Sequence, residues 1–343
     1  MDKQVSDFKE ATLVFVKQLL NLKQSEKLLV YLDQGSDYSL AEIIRESAQQ
    51  IGASAEIFQL ASGLKLQDME RELIHKIETG SFDAICELSE QSFYPTLVWE
   101  KALKLGSRIY TLASMDAAGF IRCVEKADHD SMFQLGMKLK EILSEATTVQ
   151  IISNKGTDIR FKMKANLASR VMLKLMRRQG SCIWEPSGIL RGNIRYSFVG
   201  GQLAFMGIPE TIEGIAVIDG YLSPPKEIGR LDTPITLKIK KGRVIEIGGC
   251  PLKSKILNQW LENKSKAIQH FCIGFNPGAE FLGRLMEAER VFGCINMGFG
   301  NYPFHVDGVI KSPSILLDGE FIEKDGSFIN QELSILERKL IGK

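Results

Sequence analysis

The sequence predicts two domains of different class. Residues 1–146 read as an open parallel α/β sheet domain, and residues 147–343 as a β-rich α+β domain that binds metal. Three observations carry this reading. Through the first 145 residues, short and nearly continuous apolar runs alternate with stretches of helical apolar spacing, the pattern of strands buried on both faces with helices between them. Beyond residue 147 the runs become alternating and are parted by hairpin signals such as N-K-G-T and D-G. Two of the four histidines, with a carboxylate two residues from the second, then fall in one stretch, residues 267–307.

Taken in order, residues 7–22 space their apolar side chains as a helix, and K-L-L-V-Y-L-D at 27–33 is a first buried strand. Q-G-S at 34–36 is a turn ending in a residue type that caps helices, and residues 38–51 form the helix, closed by Gly52. Strands at 54–60, 82–88 and 108–112 follow, separated by helices at 67–79 and 97–105. Such alternation gives a parallel sheet with right-handed crossovers. A long amphipathic helix at 131–145 precedes the domain boundary. The Gly35 turn has neither the three spaced glycines of a dinucleotide site nor the G-K-[S/T] of a P-loop, so it reads as a plain strand-to-helix turn.

In the second domain, strands at 148–153 and 158–163 flank N-K-G-T. Helical spacing returns at 168–178, where Lys174, Arg177 and Arg178 read as a solvated face. Residues 180–193 are rich in glycine, serine and proline, and read as a loop. From residue 195 the chain is mostly β: 196–206 contains G-G-Q-L-A-F-M-G, strands follow at 215–219, 234–239 and 243–247, two more lie around Ile273 and Ile295, and a last hairpin runs over 314–323.

The bulk numbers exclude several function classes. Hydrophobic residues make 44% of the chain and charged residues 25%, ordinary values for a globular protein. A net charge of +1 makes no case for nucleic acid or an anionic membrane surface. The first residues lack the basic-then-apolar layout of a signal peptide, and no apolar run is long enough to span a bilayer. The six cysteines are scattered without a C-x-x-C pair, which suits reduced thiols in a cytoplasmic protein.

His305 and Asp307 stand at i and i+2, so in an extended segment both point to one side. His270, from another strand, would complete two histidines and one carboxylate. That set occupies one face of an ion in non-haem Fe(II) oxygenases and leaves open positions. Cys272 is either a thiolate ligand or a small buried thiol. Glu287 and Glu289 read as solvated helix charges or as groups that orient a histidine. His75 sits on a helix and His129 in a loop. The aromatics Trp184, Tyr196, Phe198, Phe205, Tyr302 and Phe304 read as core or as walls for a flat substrate.

The ordered series G-T-D-I-R-F, G-G-Q-L-A-F, P-I-T-L-K-I-K-K-G-R-V, I-G-F-N-P-G-A, F-G-C-I-N-M-G-F-G, H-V-D-G-V-I and L-L-D-G-E-F-I resembles the metallo-aminopeptidases of the aminopeptidase T (M29) family. It also resembles their relative, 2,5-dihydroxypyridine 5,6-dioxygenase. The resemblance covers the C-terminal 190 or so residues by motif and the N-terminal domain by architecture, and it implies an aminopeptidase T-like fold and a homodimer. The peptidase branch implies two metals, Zn or Co, with a glutamate where this chain has Gln202, a glutamate at His270 and a histidine at Asn296. Only His305 and Asp307 match, and a two-metal site needs bridging carboxylates. The dioxygenase branch implies a histidine at position 270, hence one Fe(II) held by His270, His305 and Asp307. The co-substrate there is O2, and the substrate a small metal-chelating (hetero)aromatic. Asn296 and Gln202 are then either remnants of lost ligands or hydrogen-bonding groups for a substrate or a metal-bound oxygen. With Glu289 they are the candidate catalytic residues. An altered aminopeptidase and a non-catalytic binding protein are the competing readings.

Overall fold

The computed structural model describes residues 2–90, 92–94, 96–125, 127–163, 182–301 and 305–342. The helix expected at 168–178, with Lys174, Arg177 and Arg178, and the aromatics Tyr302 and Phe304 lie outside these residues.

The chain divides into two compact units, and the division does not follow a single cut at residue 146. One unit takes Met1–His129, Ser187–Gly200 and Gly278–Glu287; the other takes Asp130–Pro186, Gly201–Pro277 and Ala288–Lys343. The reason lies in strand pairing. The β stretch at 196–206 is two strands of two different sheets, parted at Gly200 and Gly201. Gly201 has φ +88°, and a Cβ there would meet the Asn276 backbone at 2.6 Å, so only glycine permits this turn.

In the first unit, α1 (Asp2–Val14) runs into a π-helical turn (Phe15–Leu19), followed by β1 (Lys27–Leu32), α2 (Tyr38–Gln50), β2 (Ser54–Gln59) and α3 (Leu66–Gly80). Then come β3 (Ala84–Glu87), α4 (Leu97–Lys104), β4 (Arg108–Thr111) and α5 (Ala117–Glu125). β1 is buried along nearly its whole length, as its unbroken apolar run requires. The helix cap after it is Asp37, whose side chain accepts from the amides of Ser39 and Leu40; Ser36 instead donates to Asp33 at 2.6 Å. The sheet order is β2-β1-β3-β4-β8 with every pairing parallel, β8 being Tyr196–Phe198. Tyr196 and Phe198 pack against Tyr94 and Trp99, so they are core rather than substrate walls. Glu287 is also not a solvated charge. It is fully buried and takes two hydrogen bonds from Arg122, at 2.6 and 2.7 Å.

The second unit opens with α6 (His129–Glu145), whose first residue closes the first unit. His129 is helical and buried, not in a loop; its Nε2 lies 2.7 Å from the Val124 carbonyl oxygen. The strands are β5 (Thr148–Ile152), β6 (Asp158–Lys162), β7 (Cys182–Ile183), β9 (Gln202–Met206), β10 (Glu213–Ile218), β11 (Tyr221–Ser223), β12 (Gly229–Arg230), β13 (Ile235–Lys240) and β14 (Arg243–Gly249). After α7 (Pro251–Trp260) come β15 (Ile268–Gly274), the short α8 (Leu285–Ala288) of which only Ala288 belongs to this unit, β16 (Cys294–Gly300) and β17 (His305–Lys311). β18 (Ser314–Leu317), β19 (Glu320–Lys324), β20 (Ser327–Phe328) and α9 (Gln331–Ile341) end the chain. They build an eight-stranded sheet, β14-β13-β10-β6-β5-β18-β19-β20, and a seven-stranded sheet, β12-β11-β17-β16-β15-β9-β7. Phe161 of the first stacks on Phe271 of the second at 4.8 Å, and Phe205 joins them. Phe205 is therefore core as well. No described helix is long and apolar enough to cross a membrane.

Glu323 on β19 is 1% exposed, and neither carboxylate oxygen has a hydrogen-bond partner. Burial, with the nearby charge of Glu337, pushes its carboxyl well above the ordinary range. The folded state therefore keeps a proton that the unfolded chain releases near pH 4.5. Stability is full below that value and falls as pH rises toward the folded pKa. Glu323→Gln mimics the protonated form. Its melting temperature is expected to equal the parent's at pH 5 and to exceed it by about 2 °C or more at pH 9, as read by calorimetry at both values.

Candidate metal centre

β16 is the central strand of the seven-stranded sheet, and all seven of its residues are buried. It pairs antiparallel with β15 on one side and β17 on the other. Residues directly opposite in such ladders put their side chains on one face, about 4.5–5.5 Å apart. The register sets His270 opposite Gly298, and Gly298 opposite Asp307. His305 pairs with Gly300 in the next row. Alternation then sorts the whole sheet. Phe271, Ile273, Ile295, Met297, Phe299, Val306 and Ile310 face the core, all nearly or fully inaccessible, while His270, Asn296, Gly298, His305 and Asp307 share the opposite face.

On that face the ligand atoms of His270, His305 and Asp307 all lie within 4.8 Å of one another. Nε2 of His270 is 3.2 Å from Asp307 Oδ1, and Nε2 of His305 is 3.2 Å from Oδ2. The two imidazoles meet edge to face with centroids 4.8 Å apart. Gly298 is what permits the approach, because a Cβ there would stand 2.4 Å from His270 Cε1. Ligands held at about 2.1 Å and at right angles around one ion stand about 3 Å apart. The donor set fits a single divalent ion, and the two 3.2 Å separations from Asp307 are close to that spacing.

Burial alone would raise the Asp307 carboxyl. The charge and hydrogen bonds of His305 and His270 outweigh it and hold the group well below the ordinary carboxylate range. The shift favours the carboxylate form, the one a metal ligand would need. Asn296 is completely buried, and its Nδ2 donates to Asp307 Oδ1 at 2.9 Å and to Glu289 Oε2 at 3.1 Å. Glu289 follows α8 in a turn and is ion-paired with Arg290, whose side chain is fully buried. Burial, opposed by Arg290 and reinforced by Asp307, raises the Glu289 carboxyl. Glu289 thus approaches neither histidine ring through a described hydrogen bond; its described partners are Asn296 and Arg290.

Gln202 is on the same face but far along it. It pairs with Gly274, four residues from His270 on β15, which is about 14 Å at a 3.4 Å rise per residue. The register thus separates it from the three ligand atoms. Cys272, opposite Asn296, has its thiol pushed well above the ordinary range by burial and by the charges of Glu289 and Asp307. It is a small buried thiol. Of the remaining candidates, Trp184 pairs through its backbone amide with Ala204, and His75 is exposed on α3. Ser223 was not foreseen. β11 pairs it directly with Asp307, which adds a hydroxyl to the row His270, Gly298, Asp307. Its S-P-P context signals only a turn, and nothing local predicts a partner 84 positions away.

Among solved structures, 2,5-dihydroxypyridine dioxygenase from Pseudomonas putida KT2440 is similar with a TM-score of 0.73 at 18% identity, over 95% of this chain and 98% of that one. Wild-type AmpT from Thermus thermophilus, of the aminopeptidase T type, is similar with a TM-score of 0.63 at 11% identity, over 95% of this chain and 99% of that one. At these identities the likeness shows the fold, which is the aminopeptidase T-like fold expected. Among curated proteins none matches the chain in sequence. Residues 11–330 match the family model NicX, 2,5-dihydroxypyridine 5,6-dioxygenase. The chain belongs to the NicX family and is a dioxygenase-like enzyme.

Proposed function

We propose that the chain is a mononuclear Fe(II) dioxygenase of a small metal-chelating (hetero)aromatic compound, of which a dihydroxylated pyridine is the first to try. The observation that carries the reading is the convergence of two imidazole nitrogens and one ionised carboxylate within 4.8 Å, with no other acidic group in that ligand set. Bound there, Fe(II) would supply the activation of O2 beside a chelating substrate, through positions that three ligands leave open. The chain's own residues hold and orient. Asp307 supplies the one negative charge of the set. Asn296 stops its carboxylate from rotating by donating to Oδ1. Gly298 raises no side chain between His270 and Asp307, so that row stays open. Arg290 is ion-paired with Glu289, so that Asp307 is the carboxylate offered to a cation beside the two histidines.

The family's reaction and the resemblance of the second half motivate O2 as co-substrate and a homodimer. The free thiols of Cys86, Cys123, Cys250, Cys272 and Cys294 suit a cytoplasmic setting. Metal-free protein titrated anaerobically with Fe(II) is expected to take up about one equivalent. On mixing with 2,5-dihydroxypyridine or a panel of chelating aromatic acids, it should consume one O2 per substrate turned over. Uptake of two equivalents of Zn or Co with hydrolysis of an aminoacyl anilide would instead establish the peptidase reading. Sedimentation equilibrium reads the oligomeric state.

A further inference from the structure

The amide of Asn296 stands between two carboxylates, and that position suits a cation as well as a pair of N–H donors. Asn296 Nδ2 reaches Asp307 Oδ1 at 2.9 Å and Glu289 Oε2 at 3.1 Å. One nitrogen with two protons serves two acceptors from two different side chains. This pairing also settles which way the amide faces, since the reversed amide would press its oxygen against both carboxylates. The orientation is held at a cost. Asn296 Oδ1 is buried and has no hydrogen-bond partner, and such an orphaned acceptor costs about 1–3 kcal/mol. No described contact of Asn296 other than these two carboxylates explains keeping it.

We propose that Asn296 sets the metal stoichiometry of the site: its two protons occupy the place between Asp307 and Glu289 where a second divalent ion would bridge, and so keep the centre mononuclear. The inference rests on the reading of His270, His305 and Asp307 as ligands of one ion. Co-catalytic metal pairs are held by carboxylates that bridge both ions. Here Asp307 Oδ1 is shared by His270 Nε2 at 3.2 Å and Asn296 Nδ2 at 2.9 Å, and the same amide nitrogen holds Glu289 Oε2 at 3.1 Å. Two carboxylate oxygens flank the position, and a neutral, proton-bearing group stands between them. Asn296 is therefore a positioning and specificity residue, and its effect is read in ions bound rather than in turnover.

Asn296→Asp replaces the donor with a third carboxylate, and Asn296→Ala removes the donor and leaves room. The full-length protein, stripped of metal, is titrated with Zn2+ alone by calorimetry, and the bound metal is counted by mass spectrometry after gel filtration. The parent is expected to retain one equivalent. Asn296→Asp is expected to retain two, with the second bound at least about 10-fold tighter than any second equivalent in the parent. Asn296→Ala is expected to show the second equivalent more weakly, and it carries the test where the aspartate variant does not fold. One equivalent in a folded variant and in the parent alike overturns the inference and leaves the single-ion site standing. Two equivalents in the parent overturn it as well. No bound metal in the parent defeats the reading of the three ligands, a different failure.

Discussion

Replacing His270 with alanine is expected to abolish stoichiometric metal retention, with affinity for Fe(II) or Zn2+ falling at least about 100-fold. Removing a group that merely orients a ligand already costs 10–100-fold, so losing a ligand sets that range as a floor. His270 is the one nitrogen donor of the set contributed by β15; His305 and Asp307 both come from β17. Without it, two donors from one strand remain, too few for a stable site. The fold should survive, because His270 lies on the face away from the Phe271, Phe205 and Phe161 cluster. Oxygen uptake should drop to background with the same substrate. Equal metal content in parent and variant, with unchanged circular dichroism, would show that the ion binds elsewhere.

The second large effect is expected from Gly298→Ala, a residue with no chemistry of its own. The added Cβ would stand 2.4 Å from His270 Cε1 and 2.8 Å from both ring nitrogens. The nearest atoms belong to a side chain, so the imidazole can rotate away, and the strand does not need to break. Rotation removes Nε2 from Asp307. Metal affinity is expected to fall at least about 10-fold, as for groups that orient a ligand. The overpacking should cost about 1–3 kcal/mol of stability. Metal titration and a denaturant melt read the two effects separately. A variant that binds metal as the parent does would show that His270 does not need the space over Gly298.

Much of the fold was legible in the sequence because its signals are local. The run K-L-L-V-Y-L-D is apolar throughout because β1 is buried on both faces, and the D-G pair at Asp318 and Gly319 marks the turn between β18 and β19. The helix after β1 starts at Tyr38 as expected, but its cap is Asp37 and not Ser36, since both are capping types and only the hydrogen bonds choose between them. The division of the β stretch 196–206 between two sheets was not legible, because a glycine pair inside an apolar run does not say which sheet each half joins. Glu287 looked solvated because helical charges usually are, and its partner Arg122 is 165 residues away.

The candidate site divides in the same way. By itself the sequence determined the chemistry on offer: the H-x-D pair, whose two-residue spacing puts both groups on one face of any strand, and a histidine ahead of a G-x-N-P-G turn. Only the tertiary structure decided which of these meet. Antiparallel register through Gly298 brings His270 to Asp307, places Asn296 between Asp307 and Glu289, sets Ser223 beside Asp307, and leaves Gln202 two rows away. Register is a long-range property, fixed by how three strands bury their opposite face together, and a slip of one residue would turn every one of these side chains into the core.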